Sequence, residues 1–215
     1  MFDPRRRSPL AHRAPIRAEN GAVSLAEWPF LTKIGLRCQP GRDAEAVASA
    51  TGVALPTAAC SSAVTGERSL LWLGPDEWLL LAPDGEGTEL GKALEGALAG
   101  QPLTQTVDVS DYYTLITLTG PRGRDVLSKL ITIDMHPRAF QAGRVVGTHV
   151  GTSTAVTIWL RDESEAAGPV FDILVRASLA DYLWCLLADA GREFGCPEQE
   201  PKAGESMRGA LPSAA

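Results

Sequence analysis

Residues 107–143, VDVSDYYTLITLTGPRGRDVLSKLITIDMHPRAFQAG, decide how this 215-residue chain folds. Residues 114–119, TLITLT, are predicted to form a β-strand. Gly120-Pro121 follows, and since a proline in the first helical turn sacrifices no hydrogen bond, we expect a helix there. A polar loop around His136 ends the stretch. This succession of strand, tight corner and helix predicts a protein that combines sheets with helices.

The same succession occurs earlier in the chain. A strand predicted over 32–38 leads into a helix, and the triplet Gly-Arg-Asp that begins at Gly41 returns at Gly123, 82 residues later. Each copy is followed by a pair of strands and an amphipathic helix. In the first copy the pair is the hairpin 70–82, which is apolar on both faces and should therefore lie centrally in its sheet. We predict an α+β fold, a pseudo-two-fold repeat of strand-helix-strand-strand-helix units.

Three regions are predicted along the chain. Residues 1–27 are rich in Arg, Pro and Ala and lack periodicity, which indicates an extended N-terminal arm. Residues 28–195 are expected to form one α+β domain, with halves covering about 28–103 and 104–195. Residues 196–215 are polar and rich in Pro, Gly and Ala, as is typical of a disordered tail.

Charge is distributed unevenly. The first 20 residues carry five Arg against two acidic residues, whereas the whole chain has a net charge of −6. The body is therefore acidic, and because nucleic-acid binding requires a basic face, the composition argues against a nucleic-acid partner. The basic arm is either a solvated segment or one that becomes ordered on an acidic partner.

The sequence contains no signal for a membrane or for secretion. The apolar runs LLWL and WLLLA are separated by a Gly-Pro-Asp-Glu turn, so no stretch approaches the roughly 20 residues of a membrane helix. The basic N-terminus lacks the apolar core of a secretory signal. The four cysteines form no C-x-x-C pair, which argues against zinc and redox motifs. We expect a cytoplasmic protein with reduced thiols and without membrane contact.

Few residues are candidates for catalysis. Asp134 lies two residues before His136 and could orient its imidazole, but no Ser or Cys nucleophile is placed beside the pair. Asp108 and Asp111 could form a paired carboxylate site for an amine or a folate. The alternative is an outward strand residue followed by a turn residue. We predict no catalytic residue, no cofactor-binding residue and no metal ligand in this chain.

Aromatic and basic residues outside the predicted core elements are candidates for an interface. Trp28, Phe30 and Phe140 lie outside those elements and, if exposed, would anchor a partner, because aromatic and Arg residues dominate binding hot spots. His136 and Arg138 belong to the polar loop, and exposed loop residues more often recognise than react. These five residues form the predicted interface.

Several segments, in consistent order over residues 8–195, resemble the gamma subunits of heterotetrameric sarcosine oxidases. They are Ser8-Pro9-Leu10, LWLGPDEWLLLAP (71–83), VDVSD (107–111), LTGPRGRDVLSK (118–129), IDMHPRAFQAG (133–143) and FDILVRASLADYLW (171–184). That family is similar in fold to the folate-binding domain of glycine-cleavage T-protein, whose pseudo-symmetric α+β core agrees with the repeat. The chain departs from the family pattern at Tyr112-Tyr113 and at Leu130-Ile131-Thr132.

The resemblance implies a role within a complex. Alpha, beta and delta subunits, chiefly alpha, would be the partners, and those subunits would bind FAD, FMN, NAD and tetrahydrofolate. The complex would oxidatively demethylate sarcosine to glycine, with formaldehyde or methylene-tetrahydrofolate and hydrogen peroxide as products. By the same resemblance the gamma chain itself carries no cofactor and no catalytic residue.

Two alternatives remain open. The chain could bind folate and transfer one-carbon units on its own, with Asp108 or Asp111 as the acid–base or pterin-anchoring group. A more remote alternative is a scaffold for iron–sulfur assembly on the same fold, against which the lack of a distinctive cysteine motif argues.

Overall fold

The computed structural model describes residues 6–151 and 154–199. These ranges contain eleven strands, four α-helices and two single turns of 3-10 helix. The strands are β1 (Ile16–Arg17), β2 (Ser24–Trp28), β3 (Thr32–Arg37), β4 (Ser62–Thr65), β5 (Arg68–Gly74), β6 (Glu77–Ala82), β7 (Gln105–Asp108), β8 (Tyr113–Thr119), β9 (Val145–Val150), β10 (Thr154–Ser164) and β11 (Gly168–Arg176). The helices are α1 (Pro40–Thr51), α2 (Gly87–Ala97), α3 (Gly123–Ser128) and α4 (Ala180–Ala190), with 3-10 turns at Ala177–Leu179 and Arg192–Phe194.

The strands form two antiparallel sheets. One has six strands in the order β1-β2-β8-β11-β10-β9, and the other has five in the order β4-β5-β6-β3-β7. Read from the opposite end, the five-stranded order β7-β3-β6-β5-β4 matches β2-β8-β11-β10-β9, strand for strand. Helices α1 and α2 in the first half correspond to α3 and α4 in the second. The predicted pseudo-two-fold α+β repeat is therefore confirmed, although each half has five strands where the predicted unit has three.

The first strand of each half lies in the sheet of the other half. β2 precedes β3 in the chain but pairs with β8, with Trp28 opposite Leu115. β7 precedes β8 but pairs with β3, with Asp108 opposite Ile34. A boundary drawn at residue 103 therefore does not separate the two sheets. β2 lies before that boundary but belongs to the second half's sheet, and β7 lies after it but belongs to the first half's sheet.

The two sheets pack face to face, with helices on the outer surfaces. Their shared core joins leucines of β5 and β6 to side chains of β8, β10 and β11; it contains Leu71, Leu79, Leu81, Leu115, Trp159 and Leu174. Neighbouring residues on the same strands point the other way, since side chains alternate along a strand. Leu70, Trp78 and Leu80 thus pack against α1 and α2. The predicted central hairpin is confirmed: β5 and β6 are internal strands, buried on both faces.

The helices begin and end where local chemistry allows. α1 has Pro40 in its first turn and ends at Gly52, whose φ of 75° is readily adopted by glycine. The corner between β8 and α3 turns at Gly120, with φ 113°. A Cβ at Gly120 would collide with the carbonyl of Ala22, so this corner packs directly on the backbone that leads into β2.

The predicted N-terminal arm is wrong for most of its length. Leu10, Ile16, Val23 and Leu25 are buried in the core between the six-stranded sheet and helices α3 and α4. The strands in this segment are two and five residues long, too short for a visible alternation. Residues 1–5 lie outside the described ranges.

Two further predictions concern the C-terminus and membranes. Cys196 belongs to the core, so the body extends past the predicted boundary at residue 195. The rest of the predicted disordered tail, from residue 200 onward, lies outside the described residues. No helix in the described ranges is long and apolar enough to cross a membrane.

Candidate functional site

A polar cleft of about 540 Å³ lies where the two strand crossovers meet the start of α2. One wall is the turn between β2 and β3, which contributes Phe30. The opposite wall is the turn between β7 and β8, which contributes Ser110 and Asp111. Each of these turns follows a strand, β2 or β7, that pairs in the sheet of the other half. The cleft therefore forms where the chain passes from one sheet to the other.

Asp108 is held between the crossover turn and α2. Its Oδ1 accepts a hydrogen bond from the backbone N–H of Ser110 at 2.9 Å. Its Oδ2 lies against Gly87, the first residue of α2, where an added Cβ would be 2.9 Å from that oxygen. A carboxylate is favourably placed at a helix N-terminus. Asp108 ends β7 and Asp111 lies in the turn, which agrees with the strand-and-turn alternative for these two residues.

Lys33 is a buried ammonium behind the cleft, with 1% of its surface exposed. Its Nζ donates to the carbonyl oxygens of Leu31 at 2.8 Å and Ser110 at 2.9 Å. Burial lowers the pKa of Lys33 to about 8, although the carboxylates of Asp111 and Asp108 act in the opposite direction. Since Leu31 and Ser110 belong to different crossovers, Lys33 joins the two turns.

Arg6 closes one side of the cleft. Its Nη1 contacts Oδ1 of Asp84 at 2.9 Å, and its guanidinium carbon lies 4.4 Å from the centre of the Phe30 ring. The N-terminal segment therefore covers part of the opening, and both Phe30 and Asp84 contact this chain's own arginine.

The histidine candidate does not form a catalytic dyad. The carboxylate of Asp134 accepts from the backbone N–H of His136 at 2.9 Å, not from the ring. Nδ1 of His136 accepts from the backbone N–H of Arg138 at 3.2 Å. In the described part of the chain, no three His, Cys, Asp or Glu side chains are grouped to hold a metal ion, and all four cysteines are free thiols. The arrangement orders a loop.

The predicted interface residues occupy two parts of the fold. Trp28, 44% exposed, and the half-buried Phe30 lie at the crossover after β2. His136 and Arg138 are exposed in the loop between α3 and β9. Phe140 is fully buried and packs on Phe171 with ring centres 6.1 Å apart, so the expectation that it anchors a partner from the surface was wrong.

The burial of Phe140 follows from the shape of its loop. The backbone N–H groups of Ala139 and Phe140 both donate to the carbonyl of His136, which curls the chain into one helical turn. The guanidinium of Arg124 stabilises this turn, because it donates hydrogen bonds to the carbonyls of Met135 at 2.6 Å and Phe140 at 2.9 Å. The aromatic ring is thereby directed inward while His136 stays at the surface.

Sequence inspection alone does not single out Asp172 and Arg161. Asp172 is fully buried, and its carboxylate accepts hydrogen bonds from Thr117 Oγ1 at 2.7 Å and Arg161 Nε at 2.6 Å. The available signal was a carboxylate inside β11, a strand that is otherwise apolar on both faces. Such a residue needs a partner, because an unpaired buried charge is strongly unfavourable.

Comparison with known proteins places the chain in a family. The family model described as "Sarcosine oxidase, gamma subunit family" matches residues 38–193, more than half of the chain. This chain belongs to the sarcosine oxidase gamma subunit family. The resemblance stated from the sequence is therefore confirmed.

Individual gamma subunits are similar over nearly their whole length. The sarcosine oxidase subunit gamma of Corynebacterium sp. (strain U-96) is 39% identical over 202 residues, which cover 90% of this chain and 93% of that protein. The subunit gamma of Arthrobacter sp. is 36% identical over 197 residues, covering 89% and 93%. The similarity to these gamma subunits thus spans most of both chains.

Solved structures agree on the fold. A chain of the heterotetrameric sarcosine oxidase from Corynebacterium sp. U-96, in complex with pyrrole 2-carboxylate, superposes with a TM-score of 0.77 at 37% identity and covers 91% of this chain and 99% of that chain. The glycine cleavage system aminomethyltransferase T from Bartonella henselae gives a TM-score of 0.58 at 16% identity, covering 82% of this chain and 47% of that one. The T-protein-like fold is confirmed.

Proposed function

We propose that this chain is the non-catalytic gamma subunit of a heterotetrameric sarcosine oxidase-like complex. It assembles with alpha, beta and delta subunits, chiefly alpha, in the cytoplasm. The complex oxidatively demethylates sarcosine to glycine, with formaldehyde or methylene-tetrahydrofolate and hydrogen peroxide as products. FAD, FMN, NAD and tetrahydrofolate belong to the partner subunits.

One observation carries the proposal. This chain superposes on 99% of one chain of a heterotetrameric sarcosine oxidase at 37% identity, so the two share their whole architecture rather than one motif. The cleft is compatible with a structural role, because its groups are engaged within the chain. Asp108 is held by Ser110 and lies against α2, Asp84 pairs with Arg6, and Lys33 bonds to two backbone carbonyls.

The contact surfaces follow from what the fold leaves exposed. We assign the loop carrying His136 and Arg138 and the crossover carrying Trp28 and Phe30 to the contacts with partner subunits. Phe140 supports the first surface from inside, since its ring packs in the core while its carbonyl is held by Arg124. A partner would meet preformed surfaces rather than order them on binding.

Co-expression tests this proposal. A tag on this chain should retrieve the flavin-binding large subunit and its companions, with flavin absorbance in the eluate and sarcosine-dependent hydrogen peroxide formation. The chain expressed alone should be folded, colourless and inactive toward sarcosine. A folded chain that fails to retain the flavoprotein, or one that turns over sarcosine without companions, contradicts the proposal.

The cleft supports a second candidate, a folate-binding one-carbon transferase acting alone. Asp108 and Asp111 line a polar opening beside the rings of Phe30 and Tyr112, a combination that could hold a pterin. Calorimetric titration with tetrahydrofolate tests it, with Asp108→Asn as the binding variant and Asp125→Asn, exposed on α3, as its control. Absence of heat at about millimolar ligand, the weak-binding limit, would remove this candidate.

A further inference from the structure

Trp28 and Arg161 form a stacked pair on the six-stranded sheet. Trp28 is the last residue of β2 and is 44% exposed. The guanidinium carbon of Arg161 lies 5.4 Å from the centre of that ring. A guanidinium at this distance from an indole face is attracted to it, so each side chain restrains the other.

Asp172 fixes the direction of the Arg161 fork. Its carboxylate accepts from Nε of Arg161 at 2.6 Å and from the hydroxyl of Thr117 at 2.7 Å. Both acceptor oxygens are therefore occupied from within the sheet. Burial raises the pKa of Asp172, an effect that Arg161 and Thr117 oppose.

The register places this group on the same face of the six-stranded sheet as the shared core, and since Trp28 and Arg161 are partly exposed, the two side chains lie at the margin of that core. Trp28 lies opposite Leu115, which faces the five-stranded sheet, and Thr117 lies opposite Asp172 on the same side. Ala26, opposite Thr117, is half-buried. Trp28 and Arg161 thus form a partly exposed face, the Trp28–Arg161 face, beside the half-buried Ala26 and Thr117.

The end of the guanidinium remains available. Arg161 uses Nε for Asp172, and in the described part of the chain neither of its Nη atoms has a hydrogen-bond partner. Arg124 differs, because its Nε and both Nη atoms are all engaged. The Arg161 side chain is 36% exposed, whereas that of Arg124 is 12% exposed. Two Nη groups held side by side match the spacing of carboxylate oxygens.

We propose that the Trp28–Arg161 face receives an acidic side chain of the large partner subunit. The Arg161 Nη groups donate to the carboxylate, and an apolar neighbour of that residue packs on the exposed part of the Trp28 ring. Tryptophan and arginine are enriched among residues that dominate binding energy, and here both are oriented before binding. This inference rests on the proposed subunit role.

Binding measurements on three variants test the site. Arg161→Lys keeps the charge but removes the fork, Trp28→Ala removes the stacking surface, and Asp172→Asn releases the guanidinium. Arg192→Lys is the matched control, because Arg192 is an exposed arginine with its own ion pairs to Asp189 and Glu198. The quantity measured is the Kd of each purified chain for the assembly of partner subunits that lacks it.

Arg161→Lys and Trp28→Ala should each raise Kd by at least about tenfold, and Arg192→Lys should change it less than about twofold. Thermal unfolding of each isolated variant separates lost binding from lost folding; if Asp172→Asn is misfolded, the other two variants decide. Wild-type binding with unchanged Kd for Arg161→Lys and Trp28→Ala overturns this site and leaves the subunit role standing. Absence of wild-type binding overturns the subunit role and the site with it.

Discussion

Arg124 and Glu163 join the first turn of α3 to strand β10 through two hydrogen bonds, from Nε at 2.9 Å and from Nη2 at 2.6 Å. The same guanidinium donates to two carbonyls of the loop between α3 and β9. One side chain thus links a helix, a strand and the loop that presents His136. Arg124 thus holds the loop from inside, while His136 and Arg138 at its tip are exposed.

Replacement of Arg124 should therefore loosen that loop. We expect Arg124→Met to lower the free energy of unfolding by about 2–3 kcal/mol, because Glu163 and two carbonyls lose a charged donor. Hydrogen exchange should quicken over residues 133–143. Arg122→Met is the control: Arg122 is 59% exposed at the side chain, forms an i,i+3 pair with Asp125 and lies 5.6 Å from the centre of the Phe194 ring, so loss of these exposed contacts should cost under about 1 kcal/mol. Equal effects of the two substitutions would contradict this role for Arg124.

Substitutions of Phe140 and Arg138 should differ strongly in their effect on stability, although both residues lie in the same loop. Phe140→Ala should lower the free energy of unfolding by about 3–5 kcal/mol, as is usual for truncating a buried aromatic ring. Arg138→Ala, two residues away at the surface, should change it by no more than about 0.5 kcal/mol. Urea titrations of both variants measure the difference. A Phe140→Ala protein as stable as wild type would mean that the ring is not part of the core.

Loss of the aspartate should destabilise the protein in the first Gly-Arg-Asp triplet and have little effect in the second. Asp43 is 2% exposed and accepts from the backbone N–H of Gln39 at 2.9 Å and from Arg42. Asp43→Ala should cost about 1–3 kcal/mol, because the start of α1 loses its acceptor. Asp125→Ala, at an exposed i,i+3 pair, should be nearly neutral. Thermal unfolding of the two variants decides, and a neutral Asp43→Ala would refute the assigned role.

The free energy of unfolding should depend on pH in the alkaline range because of Lys33. Its pKa is lowered by burial from 10.5 to about 8, so between these values the folded chain releases a proton that the unfolded chain keeps. The free energy of unfolding of wild type should therefore rise relative to Lys33→Met over this range, by up to about 3 kcal/mol. Below about pH 8 the difference should be flat, because both states hold the proton. Urea unfolding of both proteins from about pH 7 to 10 measures it, and a constant difference throughout would show an ordinary lysine.

The repeated architecture was predictable because it leaves strong local patterns. The runs 70–73 and 78–82 of the β5–β6 hairpin are apolar on both faces, and the Gly-Pro-Asp-Glu turn between them is a clear signal. The exchange of strands was not predictable in the same way. β2 reads SLAEW and β7 reads QTVD, segments too short to show a period, and each pairs with a strand that is 68 to 95 residues away in the sequence.

The exposure of the predicted interface residues was likewise predictable at some positions and not at others. Trp28 could be selected as an exposed aromatic residue because it precedes Pro29 between elements. Phe140 lies in an equally polar setting, but a single helical turn directs it inward, and that turn depends on Arg124 from another element. Side-chain burial in loops follows tertiary contacts rather than local composition.

The pairing of β2 and β7 in each other's sheets has a consequence for how such a chain could arise. A polypeptide of half this length could build the same architecture by dimerising with a copy of itself, each copy giving its first strand to the other. Duplication and fusion of its gene would then convert this strand pairing between two copies into pairing within one chain. Neither half could afterwards be excised with its own sheet complete.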